Sequence, residues 1–123
     1  MAPSLDGRRF SSRAAVVGGD VGAETVFLYA ERDGVISASY AGGAVVQGFL
    51  VGTRHGDRLD FRYAQLRTDG TTASGRCRSL VVEQADGRLR LEETWQWESA
   101  EGAGTSELAE LPAPVGADAP CGA

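Results

Sequence analysis

Pairs of turn-forming residues recur at short intervals along the chain, and they restrict its fold more than any other feature. Asp-Gly and Gly-Gly pairs supply the positive-φ residues of tight hairpin turns without steric cost. The segments between these pairs have strand length and are rich in Val, Phe, Tyr, Thr and Trp. The sequence therefore predicts consecutive antiparallel hairpins. The turns are Asp33-Gly34, Gly42-Gly43, His55-Gly56-Asp57, Asp69-Gly70 and Asp86-Gly87.

We predict an all-β fold with seven strands and a weaker eighth. No stretch of helical period is long enough for a crossover connection, so consecutive strands should pair as an up-and-down meander. Closing the meander into a small barrel of about eight strands covers both its apolar face and its two edges. An open sheet that dimerises through its apolar face is the structural alternative. The predicted strands are residues 8–15, 23–31, 35–41, 44–53, 58–67, 72–83, 88–98 and 104–110.

Length and composition indicate one small domain. We place it in residues 1–111 of the 123 and expect the Pro/Ala/Gly-rich segment 112–123 to be disordered.

A net charge of −5 argues against nucleic-acid binding. No apolar run approaches the roughly 20 residues that a membrane helix needs, and no signal peptide is visible, so we expect no membrane partner. Two cysteines do not make a disulfide framework, and the simplest location is the cytoplasm.

Alternation of side chains separates an inner from an outer face in several strands. In RLRLEETWQWES, residues 88–99, one side is apolar apart from Glu93 and the other side is entirely polar. Because burying an unpaired guanidinium is costly, the arginine-bearing sides should face solvent. Strands 23–31 and 44–53 carry apolar residues on both sides, and their orientation stays open. The residues predicted to face inward are Ile36, Ala38, Tyr40, Leu59, Phe61, Tyr63, Gln65, Gly75, Cys77, Ser79, Leu89, Leu91, Glu93, Trp95 and Trp97.

The polar members of this inner set are candidates for a small-molecule site, since such sites have apolar walls with a few convergent polar groups. Glu93 is the candidate acid–base residue, and burial should raise its pKa unless an arginine or several donors reach it. Tyr63 is the candidate catalytic partner. A structural carboxylate paired to an arginine or tyrosine, with tryptophans as plain core, explains the same pattern. The candidate ligand-binding residues are Tyr40, Gln65, Ser79, Trp95 and Tyr29.

The other residue types that commonly carry chemistry, cysteine, histidine and lysine, do not form a candidate site. Cys77 lies between Arg76 and Arg78, but those arginines should point to the opposite face, so we interpret Cys77 as a buried, unreactive thiol. The single histidine, His55, has no partner at the spacing of a zinc site or a catalytic triad. The chain has no lysine, which excludes a Schiff base and a Walker-type phosphate loop. We therefore expect no metal and no cofactor.

Several stretches resemble a family of small bacterial proteins that is often catalogued as N-acetylglutamate synthase. The matching stretches cover most of residues 6–99. The resemblance implies an avidin- or lipocalin-like barrel. We do not expect the catalogued activity, because it requires a mixed α/β domain with a glycine-rich loop for acetyl-CoA. The stretches are DGRRF, ETVFLYAERDGVISASYAGGAVVQGFLVG, LDFRY, SGRCRS and DGRLRLEETWQWES.

The sequence favours a barrel whose cavity binds a small, mostly apolar molecule through a few polar groups. The alternative is a cofactor-independent isomerase, cyclase or dehydratase in a biosynthetic pathway, with Glu93 transferring the proton and a tyrosine stabilising an oxyanion. A third interpretation is a structural protein whose apolar sheet face forms a homodimer. The sequence alone leaves open whether the protein is an enzyme and whether it is a homodimer.

Overall fold

The computed structural model describes residues 2–12 and 18–112, which form a closed barrel of eight antiparallel strands. Each strand pairs with the next along the chain, and the first pairs with the last, so the predicted meander is confirmed. Apart from Pro112, the predicted disordered tail lies outside the described residues. The strands are β1 (Arg9–Ser12), β2 (Val26–Arg32), β3 (Val35–Gly42), β4 (Val45–His55), β5 (Arg58–Arg67), β6 (Thr72–Glu83), β7 (Leu89–Trp97) and β8 (Ala103–Glu110).

Where the structure describes them, the strand bounds follow the predicted ones closely, and positions 13–15 of the predicted first strand lie outside the described residues. The clearest difference is the start of β2. It begins at Val26 rather than at residue 23 because Gly22 and Thr25 form a turn. The Thr25 amide donates to the Gly22 carbonyl oxygen at 3.0 Å, and the Gly22 amide donates to Thr25 Oγ1 at 3.1 Å. The hairpin at Asp33-Gly34 has the positive φ angles, 52° and 79°, that the Asp-Gly pair predicts.

The predicted inner face is confirmed for β5, β6 and β7, whose arginines lie outside and whose aromatic residues lie inside. Burial also gives the orientation of β2 and β4, which the sequence left undecided. On β2, Phe27 and Tyr29 point inward. On β4 a bulge between Val45 and Gln47 shifts the alternation, so that Leu50 faces the interior. That bulge explains why periodicity alone could not orient the strand.

The outer surface of β2 and β4 is unusually apolar. Leu28 is 49% exposed on β2, and Phe49 and Val51 are 62% and 61% exposed on β4. Ser37 and Ser39 on β3 lie between them in the sheet register. We call this surface the outer apolar face, and it carries no charged side chain between these positions.

The two ends of the barrel differ. The closed end holds the turns at residues 33–34, 56–57 and 84–88, and residues 2–8 cover it. Here the interior is filled by side chains that are essentially unexposed, and they make the packed half of the core. The open end holds the turns at residues 43–44, 68–71 and 98–102, together with residues 18–25, which lead into β2. The packed half consists of Leu5, Phe10, Tyr29, Ile36, Leu59, Leu89, Leu91 and Leu108.

A buried arginine that the sequence did not single out fixes the closed end. Arg54, at the end of β4, donates to the carbonyl oxygens of Ala2, Pro3 and Gly56 at 2.8, 3.0 and 2.8 Å. Its guanidinium also forms an ion pair with Glu31 at 2.8 Å. Every one of these partners is at the closed end, so Arg54 secures the N-terminal segment across the barrel.

Candidate functional site

A cavity of about 50 Å³ lies inside the half of the barrel nearest the open end. Each ordered water needs roughly 10–15 Å³ of such space, so the cavity has room for about four waters or a compact organic group. Its walls are mostly aromatic, with a few polar groups. The lining residues are Gly19, Asp20, Val21, Phe27, Tyr40, Leu50, Phe61, Tyr63, Gln65, Cys77, Glu93, Trp95, Trp97 and Ser106.

Glycines on neighbouring strands allow the aromatic rings to lie flat against the wall. Tyr40 is opposite Gly48 in the sheet register, and Trp95 is opposite Gly104. A Cβ atom at either glycine would collide with the facing ring. Strand glycines often mark such close approaches, and here they leave open a space that a side chain would fill. The same arrangement recurs where Gly75 faces Tyr63.

Glu93 supplies the carboxyl group of the cavity. Its Oε2 accepts a hydrogen bond from Ser79 Oγ at 3.1 Å, and its Oε1 accepts one from Ser106 Oγ at 2.9 Å. Burial raises the pKa of Glu93 to about 7, while the two serine hydrogen bonds act in the opposite direction. The expectation from sequence, an inward carboxyl group with a raised pKa, agrees with this geometry. Glu93 can therefore accept or release a proton near neutral pH.

Tyrosines and an amide form the polar part of the wall nearer the open end. Tyr40 donates from its hydroxyl to Gln65 Oε1 at 2.8 Å, and both residues are buried. Tyr63 is half-buried, and its ring packs edge-on against Trp97 with ring centres 5.8 Å apart. Burial is the main cause that raises the pKa of Tyr40 and of Tyr63 far above the ordinary value, so both phenols stay protonated. Protonated phenols can donate hydrogen bonds to a ligand oxygen.

The structure brings five of the seven predicted site residues to the cavity wall: Tyr40, Tyr63, Gln65, Glu93 and Trp95. Ser79 contacts Glu93 from outside the wall. Tyr29 is 1% exposed and does not line the cavity. The Tyr29 hydroxyl is buried without a hydrogen-bond partner among the described residues.

Cys77 lines the cavity, and burial is the main cause that raises the pKa of its thiol well above the ordinary value. Arg76 and Arg78 lie on the outer face, as predicted, and Arg78 pairs with Asp60 there at 3.1 Å. The thiol is therefore protonated and suited to packing. Nucleophilic attack requires the thiolate, which this environment disfavours.

Three polar residues at or beside the cavity were not predicted: Asp20 and Ser106, which line it, and Arg67, which pairs with Asp20 at 2.7 Å. Ser106 is on β8, the strand whose sequence pattern is weakest, but alternation from Leu108 would have turned it inward. Arg67 is the last residue of β5, two positions after Gln65, so strand alternation would have placed both side chains on the same face. Asp20 is in the irregular connection before β2, and no periodicity reports on such a position.

Across residues 2–12 and 18–112, no group of three or more His, Cys, Asp or Glu side chains is placed to hold a metal ion. In the same residues, no helix is long and apolar enough to cross a membrane.

A protein-family model described as "Avidin-like protein" matches residues 3–111, which include all eight strands. The chain belongs to the avidin-like family. No curated protein and no solved structure matches it. The family match agrees with the observed barrel, and it gives no support to the N-acetylglutamate synthase cataloguing. Avidin-like barrels commonly bind small molecules.

Proposed function

We propose that this avidin-like protein binds a small molecule in the cavity of the open half. The observation that carries the proposal is the Glu93 carboxyl group inside an aromatic cavity that no side chain fills. In a fully packed core, an apolar side chain would fill the space beside Trp95 and Trp97. Instead, the cavity combines apolar walls with a few convergent polar groups, the combination typical of ligand sites.

The polar groups define what the ligand must offer. Glu93, when ionised, accepts hydrogen bonds, so it favours an N–H or O–H group at the inner end of the ligand. Tyr63 is a protonated phenol and can donate to a ligand oxygen. The apolar body of the ligand would pack between Phe27, Phe61 and Trp95. Biotin and smaller cyclic amides or ureas are suitable probes of this class.

The first experiment is a thermal-shift screen of such compounds against the wild type, Glu93→Gln and Glu92→Gln. Glu92 is the matched control because it is the neighbouring residue on β7 but lies on the outer face. We expect at least one compound class to stabilise the wild type and Glu92→Gln, with a smaller shift for Glu93→Gln. If no compound stabilises any of the three proteins, the proposed site is wrong.

A second candidate function is catalysis without a cofactor, and the pKa of Glu93 favours it. A carboxyl group with a pKa of about 7 is well matched to general acid–base work at neutral pH. Tyr63 lines the same cavity and could stabilise an oxyanion. An isomerase, cyclase or dehydratase would use these two groups.

Substrate turnover separates the two functions once a binding compound class is known. For an enzyme, Glu93→Gln should retain binding and lose most turnover, whereas Glu92→Gln should keep both. Unchanged turnover in Glu93→Gln would exclude Glu93 as the acid–base residue. Absence of turnover in the wild type with every bound compound would favour the binding protein.

The outer apolar face leads us to retain the homodimer as a further part of the proposal. A second copy is the occupant that fits, because an uncharged, apolar sheet surface can pack against the same surface of another copy about a two-fold axis. Light scattering after size exclusion should give the mass of a dimer for the wild type and of a monomer for Phe49→Glu. A monomeric wild type would exclude the dimer without affecting the cavity.

A further inference from the structure

Asp20 places a carboxylate at the wall of the cavity, near the open end of the barrel. Its Oδ2 accepts two hydrogen bonds, each 2.7 Å long, from Gln65 Nε2 and Arg67 Nε. Gln65 is 4% exposed, and the Arg67 side chain is 31% exposed. A carboxylate oxygen thus sits between an amide donor and a guanidinium donor at the entrance to an otherwise apolar space.

The two donors are positioned by contacts that do not involve Asp20. The Tyr40 hydroxyl donates to Gln65 Oε1 at 2.8 Å, which leaves the Gln65 amide nitrogen to point toward the entrance. The Arg67 guanidinium lies over the Trp97 ring, 5.4 Å from its centre. Both residues are on β5, two positions apart, so a rigid strand holds the donor pair. The pair is therefore a preorganised receptor for a carboxylate.

Asp20 lies in a less regular part of the chain than Gln65 and Arg67, the two residues that donate to it. Asp20 follows Gly18 and Gly19, outside any strand, and Gly18 has a φ of 78°. The Gly18 carbonyl oxygen accepts from Trp97 Nε1 at 3.1 Å, which is the second contact of this segment with the cavity wall. The ion pair is partly accessible to solvent, with 31% of the Arg67 side chain and 19% of the Asp20 side chain exposed, so another carboxylate that reaches the entrance can compete with Asp20.

We propose that Gln65 and Arg67 form the binding site for the carboxylate of a small organic acid, and that Asp20 occupies this site when the acid is absent. The proposal rests on ligand binding in the cavity, as proposed above, and it names the ligand class. The ligand carries a carboxylate at the entrance, and its apolar body extends past Tyr63 and Trp95 toward Glu93. Asp20 then acts as an internal competitor that lowers the affinity for acids and excludes those that bind weakly.

The test compares acids with their uncharged amides. 4-Hydroxyphenylacetate and 4-hydroxyphenylacetamide, whose hydroxyl group can donate to Glu93, are titrated against the wild type, Asp20→Ala and Asp20→Asn, with butyrate and butyramide as smaller probes of the carboxylate end. Binding is followed by the fluorescence of Trp95 and Trp97, both of which line the cavity. Asp33→Asn is the control: it makes the same charge change at a turn residue whose side chain is 91% exposed.

We expect Asp20→Ala and Asp20→Asn to bind the acids about tenfold more tightly than the wild type, because a tethered competitor acts at an effective concentration in the millimolar range. Affinity for the amides should change less than threefold, and Asp33→Asn should behave as the wild type. Adding Arg67→Gln to Asp20→Asn should remove the preference for acids. Unfolding curves of each variant establish that the fold is retained.

Three outcomes overturn the proposal, and they are distinguishable from one another. If acids and amides gain affinity equally in Asp20→Ala, the carboxylate site is wrong, but ligand binding in the cavity stands. If neither acids nor amides bind to any variant while cyclic amides or ureas do, the ligand class is wrong. If no probe of either set binds to any variant, the proposed function fails together with the site.

Discussion

An arginine lies beside an acidic residue at each end of this barrel, and the two pairs differ in what surrounds them. At the closed end, the Arg54 side chain is 5% exposed and donates to three main-chain carbonyl oxygens in addition to Glu31. At the open end, the Arg67 side chain is 31% exposed, and its partners are Asp20 and the face of the Trp97 ring.

The difference separates a structural pair from an exchangeable one. The carbonyl partners of Arg54, and Glu31, which also accepts from the Leu5 amide at 2.9 Å, cannot leave without opening the barrel end, and Asp57 adds a longer ion pair at 3.5 Å. The partner of Arg67 is one side chain on an irregular segment, and another carboxylate can replace it. Packing follows the same division, with a filled core toward the closed end and a cavity toward the open end.

The largest effect should come from Arg54→Met. Removing the guanidinium leaves the largely buried Glu31 carboxylate without its charged partner and three carbonyl oxygens without their side-chain donor, and breaking a buried pair in this way costs about 3–5 kcal/mol. Urea unfolding measures the loss. Arg67→Met is the matched variant at the open end, and it should lose no more than about 1 kcal/mol. Equal losses for the two variants would contradict the distinction between the ends.

Two leucine variants compare the packing of the closed half of the barrel with that of the half that holds the cavity. Leu91→Ala should reduce the free energy of unfolding by about 2–5 kcal/mol, because Leu91 is fully buried in the packed half. Leu50 already borders the cavity, so Leu50→Ala removes fewer contacts and should fall at the lower end of that range. Denaturant unfolding of both variants gives the comparison. A larger loss for Leu50→Ala would mean that the open half is packed as tightly as the closed half.

The pH dependence of stability should identify Glu93. Its pKa in the folded protein, about 7, lies above its unfolded value, so the protonated form stabilises the native state. That contribution is fully present below the unfolded pKa and is lost as pH rises through about 7. The wild type should therefore lose on the order of 2–3 kcal/mol relative to Glu93→Gln between pH 4 and pH 8. Parallel wild-type and Glu93→Gln profiles would show that the carboxyl group is solvated, and Glu92→Gln is the control.

A smaller stability effect than those of Arg54→Met and Leu91→Ala, and the one most informative about the cavity wall, should come from Gly48→Ala. The added methyl group meets the Tyr40 ring, which must move toward the cavity. Overpacking of this kind costs about 1–3 kcal/mol, and the cavity has space to relieve part of it. Calorimetry with a compound that binds the wild type should show a loss of affinity well beyond the change in stability. Retained affinity would mean that the ligand does not reach Tyr40.

Much of the fold was predictable because hairpin turns and alternation are local signals. Asp33-Gly34 defines a turn, and the polar side of 88–99 defines the outer face of β7. The inward position of Glu93 followed from that alternation. The orientation of β4 did not follow, because its bulge depends on pairing with β5.

The remaining site residues depend on tertiary contacts that the sequence does not encode locally. Asp20 lies outside the strands, so alternation does not predict which way its side chain points. Its contact with Gln65 depends on the packing of the segment before β2 against β5. The contact between Arg54 and residues 2 and 3 spans about fifty positions in the chain. The glycine opposite each aromatic residue was visible as a strand glycine, but the partner ring depends on the sheet register.

The most direct measurement is a two-dimensional ¹H–¹⁵N NMR titration with small aromatic amides and acids. Binding in the open half should shift the Trp95 and Trp97 indole signals and the amides of Tyr40, Gly48 and Glu93, while signals of Leu89, Leu91 and Arg54 stay in place. Shifts confined to the closed end or to the outer apolar face, with the indole signals unmoved, would contradict ligand binding in the cavity.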